Sequence, residues 1–378
     1  MNFDLSDEQQ ALREAARGAL SRHETVAAAR EAADGGERLD LWELAREMGW
    51  PGLVVAEDHG GAGLGALDAM LVMLECGRVL ASVPLLGHVP ATAVLDGAGA
   101  DSELLHALAE GERRAALVPA QPPGDLDRGW TVEPLQGQAR PDAPSVDAQG
   151  RVSGTVAWVP DAPGADVLVV AAVDGSGDPR ALLVDAAADG VTLEEVRRYD
   201  FTRLLGHVRL DGASATELDA GEEELRSAWY LAQALIAAES LGAVEVALET
   251  SVAYAKERFT FGRAIGSYQA VKHALTEVLR RLENARSLLY YAGWARQDAP
   301  AEFPLAASAA RTAAGEALDF AARQMISVHG GIGATWEHDA PYYFRRSQLS
   351  RRLLGGTAGS ADRVARELLA QARAAPAA

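Results

Sequence analysis

Two stretches of this 378-residue chain gather the side chains best suited to chemistry. The first is "YAKERFTFGRAIGSYQAVKH", Tyr254 to His273. It closes a long helical pattern at Arg258, sets Phe259 and Phe261 around Thr260, and reopens a helix at Gln269. A guanidinium, a hydroxyl, an aromatic ring and an amide at a helix–helix junction suit a pyrophosphate and the flat heterocycle attached to it. They equally suit a capped helical hairpin, with Arg258 solvated and Phe261 in the core. The second stretch is "HGGIGATWEHDAPYYFRRSQLS", His329 to Ser350. Gly330, Gly331 and Gly333 let backbone amides come close to a ligand, although a helix C-cap and an ordinary loop account for them as well. A third stretch, "LLGGTAGSADR" (Leu353 to Arg363), follows Arg345-Arg346 and Arg351-Arg352 and is almost bare of side chains. It raises the question of what it lacks.

Other chemistries are poorly supported. His329 and His338 stand nine residues apart, without the helical pairing of a metal site, so no metal is expected. The single cysteine, Cys76, lies in the apolar run "MLVMLECGRVL" and reads as core; it forbids an intrachain disulfide. "GGAGLG" has glycines at dinucleotide-motif spacing but no strand–turn–helix around it. No serine sits in a nucleophile elbow. The net charge of −19 argues against nucleic acid or an anionic membrane as partner. With no apolar leader region at the N-terminus and no run of 18 apolar residues, a cytoplasmic protein is expected.

Helices and strands must position these residues. Ser6 with Gln9 is a capping-box pattern ahead of Leu12, Ala16 and Leu20. A second helix is expected from Asp40, its N-cap, to Gly49; a third from Ala66 to Leu80; a short one from Ser102 to Glu110. Periodicity then changes. "RVSGTVAWV", "DVLVVAAV", "RALLVDA" and "LLGHVRL" read as strands of an antiparallel sandwich or barrel. Beyond Gly221 long helices return: Glu222 to Glu257, an amphipathic helix on Val271, Leu275, Val278, Leu279 and Leu282, and Ala306 to Val328. A last helix has Ser360 as its candidate N-cap. The expectation is an α+β chain in three parts: an N-terminal α-helical domain (1–114), a middle β domain (115–221) and a C-terminal four-helix bundle (222–378).

Taken together, "ERFTFGRAIGSYQAVKH", "HGGIGATWEHD", "LWELAREMGWPGLVVAEDHGGAGLG" and "VSGTVAWVPDAPGADVLVVAA" resemble, in order along the whole chain, the acyl-CoA dehydrogenase family. The resemblance implies FAD, an acyl-CoA substrate, and loss of the α and β hydrogens, with a glutamate taking the α-proton and the flavin taking the β-hydride. It implies dimers of dimers and an electron-transfer flavoprotein or other acceptor. Arg258, Thr260, Phe261 and Gln269 match residues that hold FAD, largely a neighbouring subunit's. Trp158 matches the residue packed near the flavin ring, Gly330 and Gly331 the turn near the pyrophosphate, and Thr357 the landmark threonine of the family's "E-G-T" loop.

The departures are as informative. Aligning Gly356-Thr357 on that loop puts the base position at Gly355, and Gly359 also lacks a flavin-contacting side chain. The alternative base position of some members falls on Ala232. Glu239, nearby on the same helix, is a weak substitute whose helical phase differs. Pro160 and Ser327 stand where a flavin-contacting threonine and a pyrophosphate-reaching glutamine are usual. The family's flavin and substrate loop is only fragmentary in "VPAQPPGDLDRGW". Two readings follow. In one, the chain is the base-less subunit of a heteromeric acyl-CoA dehydrogenase. It pairs with a homologous subunit that keeps the glutamate, as actinobacterial-type members do for bulky substrates such as steroid side chains. In the other, it is a stand-alone flavoprotein or cofactor-free homologue with non-desaturase chemistry on a CoA- or carrier-bound substrate.

Overall fold

A computed structural model describes residues 4–119, 143–197 and 199–374. Among the described residues six α-helices come first: α1 (Asp7–Leu20), α2 (Thr25–Ala33), α3 (Trp42–Glu47), α4 (Ala66–Arg78), α5 (Leu85–Gly97) and α6 (Ser102–Ala109). The capping box at Ser6 and Gln9 is present on α1. Asp40 serves α3 through a bond to the Trp42 amide, although Leu41 is the cap residue. Helices α2 and α5 escape the sequence reading. Pro90 lies inside α5, and nearly all of that helix is buried, so it shows no amphipathic stripe.

Among the described residues eight strands then form one sheet: β1 (Ala115–Val118), β2 (Ser145–Val146), β3 (Arg151–Pro160), β4 (Val167–Val173), β5 (Pro179–Asp185), β6 (Val191–Glu195), β7 (Leu205–Ser214) and β8 (Thr216–Glu217). The order β6-β7-β3-β2-β4-β5-β8, with β1 on β4, is mostly antiparallel. The β1–β4 and β2–β4 pairs are parallel, which the expected antiparallel pattern did not include. The four strands read from sequence all form; β1, the two-residue β2 and β8, and half-exposed β6 were missed.

Helices return with α7 (Glu222–Glu257), followed by the tiny ladder of β9 (Phe259–Thr260) and β10 (Arg263–Ala264). Then come α8 (Gln269–Asp298), α9 (Phe303–His329), α10 (Ala340–Ser350) and α11 (Gly356–Ala374). Ser360 is not the N-cap of α11. It lies inside the helix, donating to the Gly356 carbonyl at 3.1 Å, so only Leu353 to Gly355 of the bare stretch are loop. Helix α7 is long and apolar enough to cross a membrane, but 89% of its most apolar window is buried by protein.

Two glycines set how closely the halves meet. A Cβ on Gly242 of α7 would lie 1.8 Å from the Leu74 carbonyl oxygen, and one on Gly77 of α4 would lie 1.9 Å from that of Glu239. Only glycines let these helices cross backbone to backbone. Beside the crossing, Arg13 and Arg17 grip buried Glu75, while Arg13, Arg78 and Arg286 converge on Glu245, joining α1, α4, α7 and α8.

Candidate functional site

The residues singled out from sequence fall into two groups along α7. At its C-terminal end, Arg258 is the cap residue, in extended backbone and exposed. The chain turns through Phe261, whose φ of +50° is left-handed and whose side chain is 96% exposed. A core phenylalanine would bury that ring, so the hairpin reading with Phe261 inside is set aside. Thr260 pairs with Arg263, and its carbonyl accepts from the Tyr268 hydroxyl at 3.2 Å; the Arg263 guanidinium lies 3.9 Å from the Tyr268 ring centroid. Gln269 opens α8, exposed.

The His-Gly-Gly turn is held against this end. His329, buried at the close of α9, packs its ring at a tilt against Tyr254 of α7 at 4.4 Å and against His338 at 4.3 Å, with Nδ1 bonded to the Met325 carbonyl. Gly330 follows at φ +65°, ψ −137°, and a side chain on Gly330 or Gly331 would meet open space. Ile332 and Trp336 beside it are about half exposed, and Arg345 lies over the Trp336 ring at 4.2 Å. The Tyr254–His329 contact brings the bare backbone of the turn to the end of α7 that carries Arg258. Bare backbone and a guanidinium at one helix end suit a flat heterocycle and its phosphates.

The second group lies farther up α7. Leu354, Gly355 and Gly356 are all left-handed, at φ +52°, +81° and +75°. The Leu354 carbonyl accepts from Gln233 Nε2 at 2.9 Å, pinning the turn to α7. A Cβ on Gly355 would stand 3.1 Å from Trp229 Cζ2 and 3.7 Å from Gln233 Nε2. Trp229, Ala232 and Gln233 have the i, i+3, i+4 spacing of one helix face, and all three are buried. Thr357 packs its methyl where Gly315 has no side chain, and its amide bonds the Arg351 carbonyl. Sequence reasoning passed over Trp229 and Gln233. The signal was their spacing from Ala232.

Glu239 sits two turns on, 3% exposed, with one carboxylate oxygen on Arg203 and the other on Arg346. Arg346 also bonds Asp200 at 3.0 Å and the Thr202 hydroxyl at 2.6 Å. With both oxygens engaged by arginines in the core, Glu239 serves as an internal ion-pair hub and has no free edge for a substrate proton.

Trp158 is half-buried near the end of β3, where the β3–β7 register shifts, at φ +59°; its ring meets His207 edge-on at 4.6 Å. Three residues on, Asp161 is buried and accepts from the Gly87 amide at 2.8 Å. Burial pushes its carboxyl up to about 7, Gly87 and Arg203 pulling the other way. Burial also raises the Cys76 thiol, which is the signature of core packing. Among the described residues no cluster of acids, histidines and cysteine is built to hold a metal. The stretch "VPAQPPGDLDRGW" lies largely outside the described residues.

Helix α7 holds the two groups apart. From Gln233 to Arg258 it extends roughly 37 Å at about 1.5 Å per residue.

The family models for the N-terminal and C-terminal domains of acyl-CoA dehydrogenase match residues 6–110 and 225–369. The chain is 37% identical over 364 residues to the acyl-CoA dehydrogenase FadE34 of Mycobacterium tuberculosis, covering 93% of this chain but 47% of that longer protein. It is 34% identical to IpdE2 of the same organism, covering 92% of this chain and 93% of the relative. Among solved structures, the ChsE4-ChsE5 complex from M. tuberculosis superposes with a TM-score of 0.85 at 27% identity, covering all of both chains. A steroid acyl-CoA dehydrogenase variant, Tcur3481-Tcur3483, does so with a TM-score of 0.85 at 29% identity over 98% of this chain and 99% of that one.

Proposed function

We propose that this chain, which belongs to the acyl-CoA dehydrogenase family, serves as the base-less subunit of a heteromeric, FAD-dependent enzyme that desaturates an acyl-CoA. The observation that carries the reading is the absence of a usable carboxylate at every expected base position. Gly355 has no side chain, Ala232 is a buried methyl, and Glu239 is held by Arg203 and Arg346. A thioester α-proton is too weakly acidic to be lost to water. A positioned general base is worth about 10²- to 10⁴-fold, and this chain has none of those considered to offer.

The surface at the end of α7 supports the complementary role. Phe261, Trp336 and Ile332 present apolar faces to solvent, and Gly330 and Gly331 leave backbone accessible. Arg258, Thr260, Phe261 and Gln269 would hold FAD bound mainly by the homologous subunit, with Gly330 and Gly331 near its pyrophosphate. Trp158 and Thr357 would face a flavin within this chain. FAD, when bound, supplies the acceptor for the β-hydride, which an electron-transfer flavoprotein or other acceptor then relieves. The solved structures it resembles include the ChsE4-ChsE5 complex and Tcur3481-Tcur3483, the latter described as a steroid enzyme. They favour a bulky acyl-CoA and a heterotetramer.

The test is purification of the chain alone and with a co-expressed homologous subunit carrying the glutamate. Expected are little flavin and no bleaching by acyl-CoA for the chain alone, and a yellow complex bleached by substrate. A yellow, active homotetramer of this chain by itself overturns the proposal.

A further inference from the structure

We infer that Trp229 closes this subunit's own acyl-thioester subsite, and that Gly355 is the residue that admits the indole there. The inference rests on reading residue 355 as the family's base position. A base acts only within hydrogen-bond reach, about 3 Å, of the carbon-bound proton it removes. A catalytic subunit must therefore keep open the volume beside that residue. Here an indole carbon fills it.

The three atoms nearest to a Cβ on residue 355 are Trp229 Cζ2 at 3.1 Å, Gln233 Nε2 at 3.7 Å and Trp229 Cη2 at 3.8 Å. All belong to one face of α7, the face that also carries Ala232, so both places a base could come from converge on the same indole. Trp229 is 4% exposed and belongs to the main hydrophobic core, which makes it a packed wall. The turn is fixed too. Leu354 is left-handed although it is a leucine, and its carbonyl is tied to Gln233. A merely eroded loop would have no need of that strain or that bond. The ligand class shut out is an acyl thioester. In the heteromer it is left to the subunit that keeps the glutamate.

A double-mutant cycle on the full chain tests this, using Gly355→Glu and Trp229→Ala. The left-handed backbone at residue 355 penalises any side chain in either background, so that strain cancels and the cycle isolates the contact with the indole. Expected is a drop in Tm for Gly355→Glu that shrinks by at least half in the Trp229→Ala background. If Gly355→Glu does not fold, Gly355→Ala introduces the same Cβ and runs the same cycle. Calorimetric titration with octanoyl-CoA should show no saturable binding by the wild-type chain and about one equivalent for Trp229→Ala. Equal Tm losses in the two backgrounds overturn the inference; so does octanoyl-CoA binding by the wild-type chain that Trp229→Ala leaves unchanged. Neither readout depends on turnover. Dehydrogenation by the wild-type chain would defeat the base-less reading by a separate measurement.

Discussion

Asp161→Asn should make the protein more stable, and increasingly so as pH rises. Asp161 is buried at the end of β3 with one oxygen on the Gly87 amide, and burial raises its carboxyl from the ordinary 3.8 to about 7. In the unfolded chain it ionises near the ordinary value. Between about pH 4 and pH 7, then, folding takes up a proton, and stability falls as pH rises until the folded carboxyl also ionises. The full cost is the shift of about three units at 1.36 kcal/mol each, or about 4 kcal/mol above pH 7, and it vanishes below pH 4. Asparagine keeps an acceptor for Gly87 and cannot ionise. Its advantage over wild type should widen by about 2 kcal/mol between pH 5.5 and pH 8. Urea unfolding of both proteins at the two pH values reads this directly. A difference that stays flat or narrows with pH would refute the reasoning, because it would mean that Asp161 is ionised in the folded core at no cost.

Three further outcomes follow from the geometry. Glu239→Ala strands the guanidiniums of Arg203 and Arg346 in the core and should cost roughly 3–5 kcal/mol in urea unfolding; the exposed pair of Arg46 and Glu43, lost in Glu43→Ala, should cost less than about 1 kcal/mol. Gly242→Ala drives a methyl to 1.8 Å from the Leu74 carbonyl oxygen and should abolish soluble expression or cut Tm sharply, whereas Gly97→Ala, which meets open space, should leave Tm unchanged or higher. Phe261→Ala removes a ring that is 96% exposed, so the Tm of the isolated chain should not move, while flavin retained by the co-purified complex should drop.

How much of this was legible beforehand depends on whether a feature is local. The capping box at Ser6, the four β-like runs set off by turn residues and the long helical run from Glu222 to Glu257 are local patterns, and each appears as read. Helix α5 was not legible, because it is buried on all sides and holds Pro90, so it shows neither a stripe nor clean propensity. Ser360 looked like a cap because serine caps helices. The helix instead starts four residues earlier, at Gly356, where the chain leaves three left-handed residues in a row. A cap serine and a serine bonding back to the i−4 carbonyl are the same letter.

The candidate site shows the same divide more sharply. Arg258, Phe261 and Gln269 could be picked out because their motif is contiguous, and their exposure follows from a turn between two helices. Gly355 could be picked out only as an absence. What fills that absence comes from Trp229, more than a hundred residues earlier, and only the packing of the Leu354 turn on α7 reveals the pair. The role of Glu239 was likewise invisible. A lone glutamate in an Ala-rich helix reads as a possible base or an interface charge until Arg203, from the loop before β7, and Arg346, from α10, are seen to close on its two oxygens. An acid held this way has both oxygens taken and cannot move, and catalysis asks the opposite of a base: it must reach the substrate and carry a proton away within each turnover. The fold has kept its ion pairs for holding α4, α7 and α10 together. It has placed a tryptophan where a reacting carbon would have to stand.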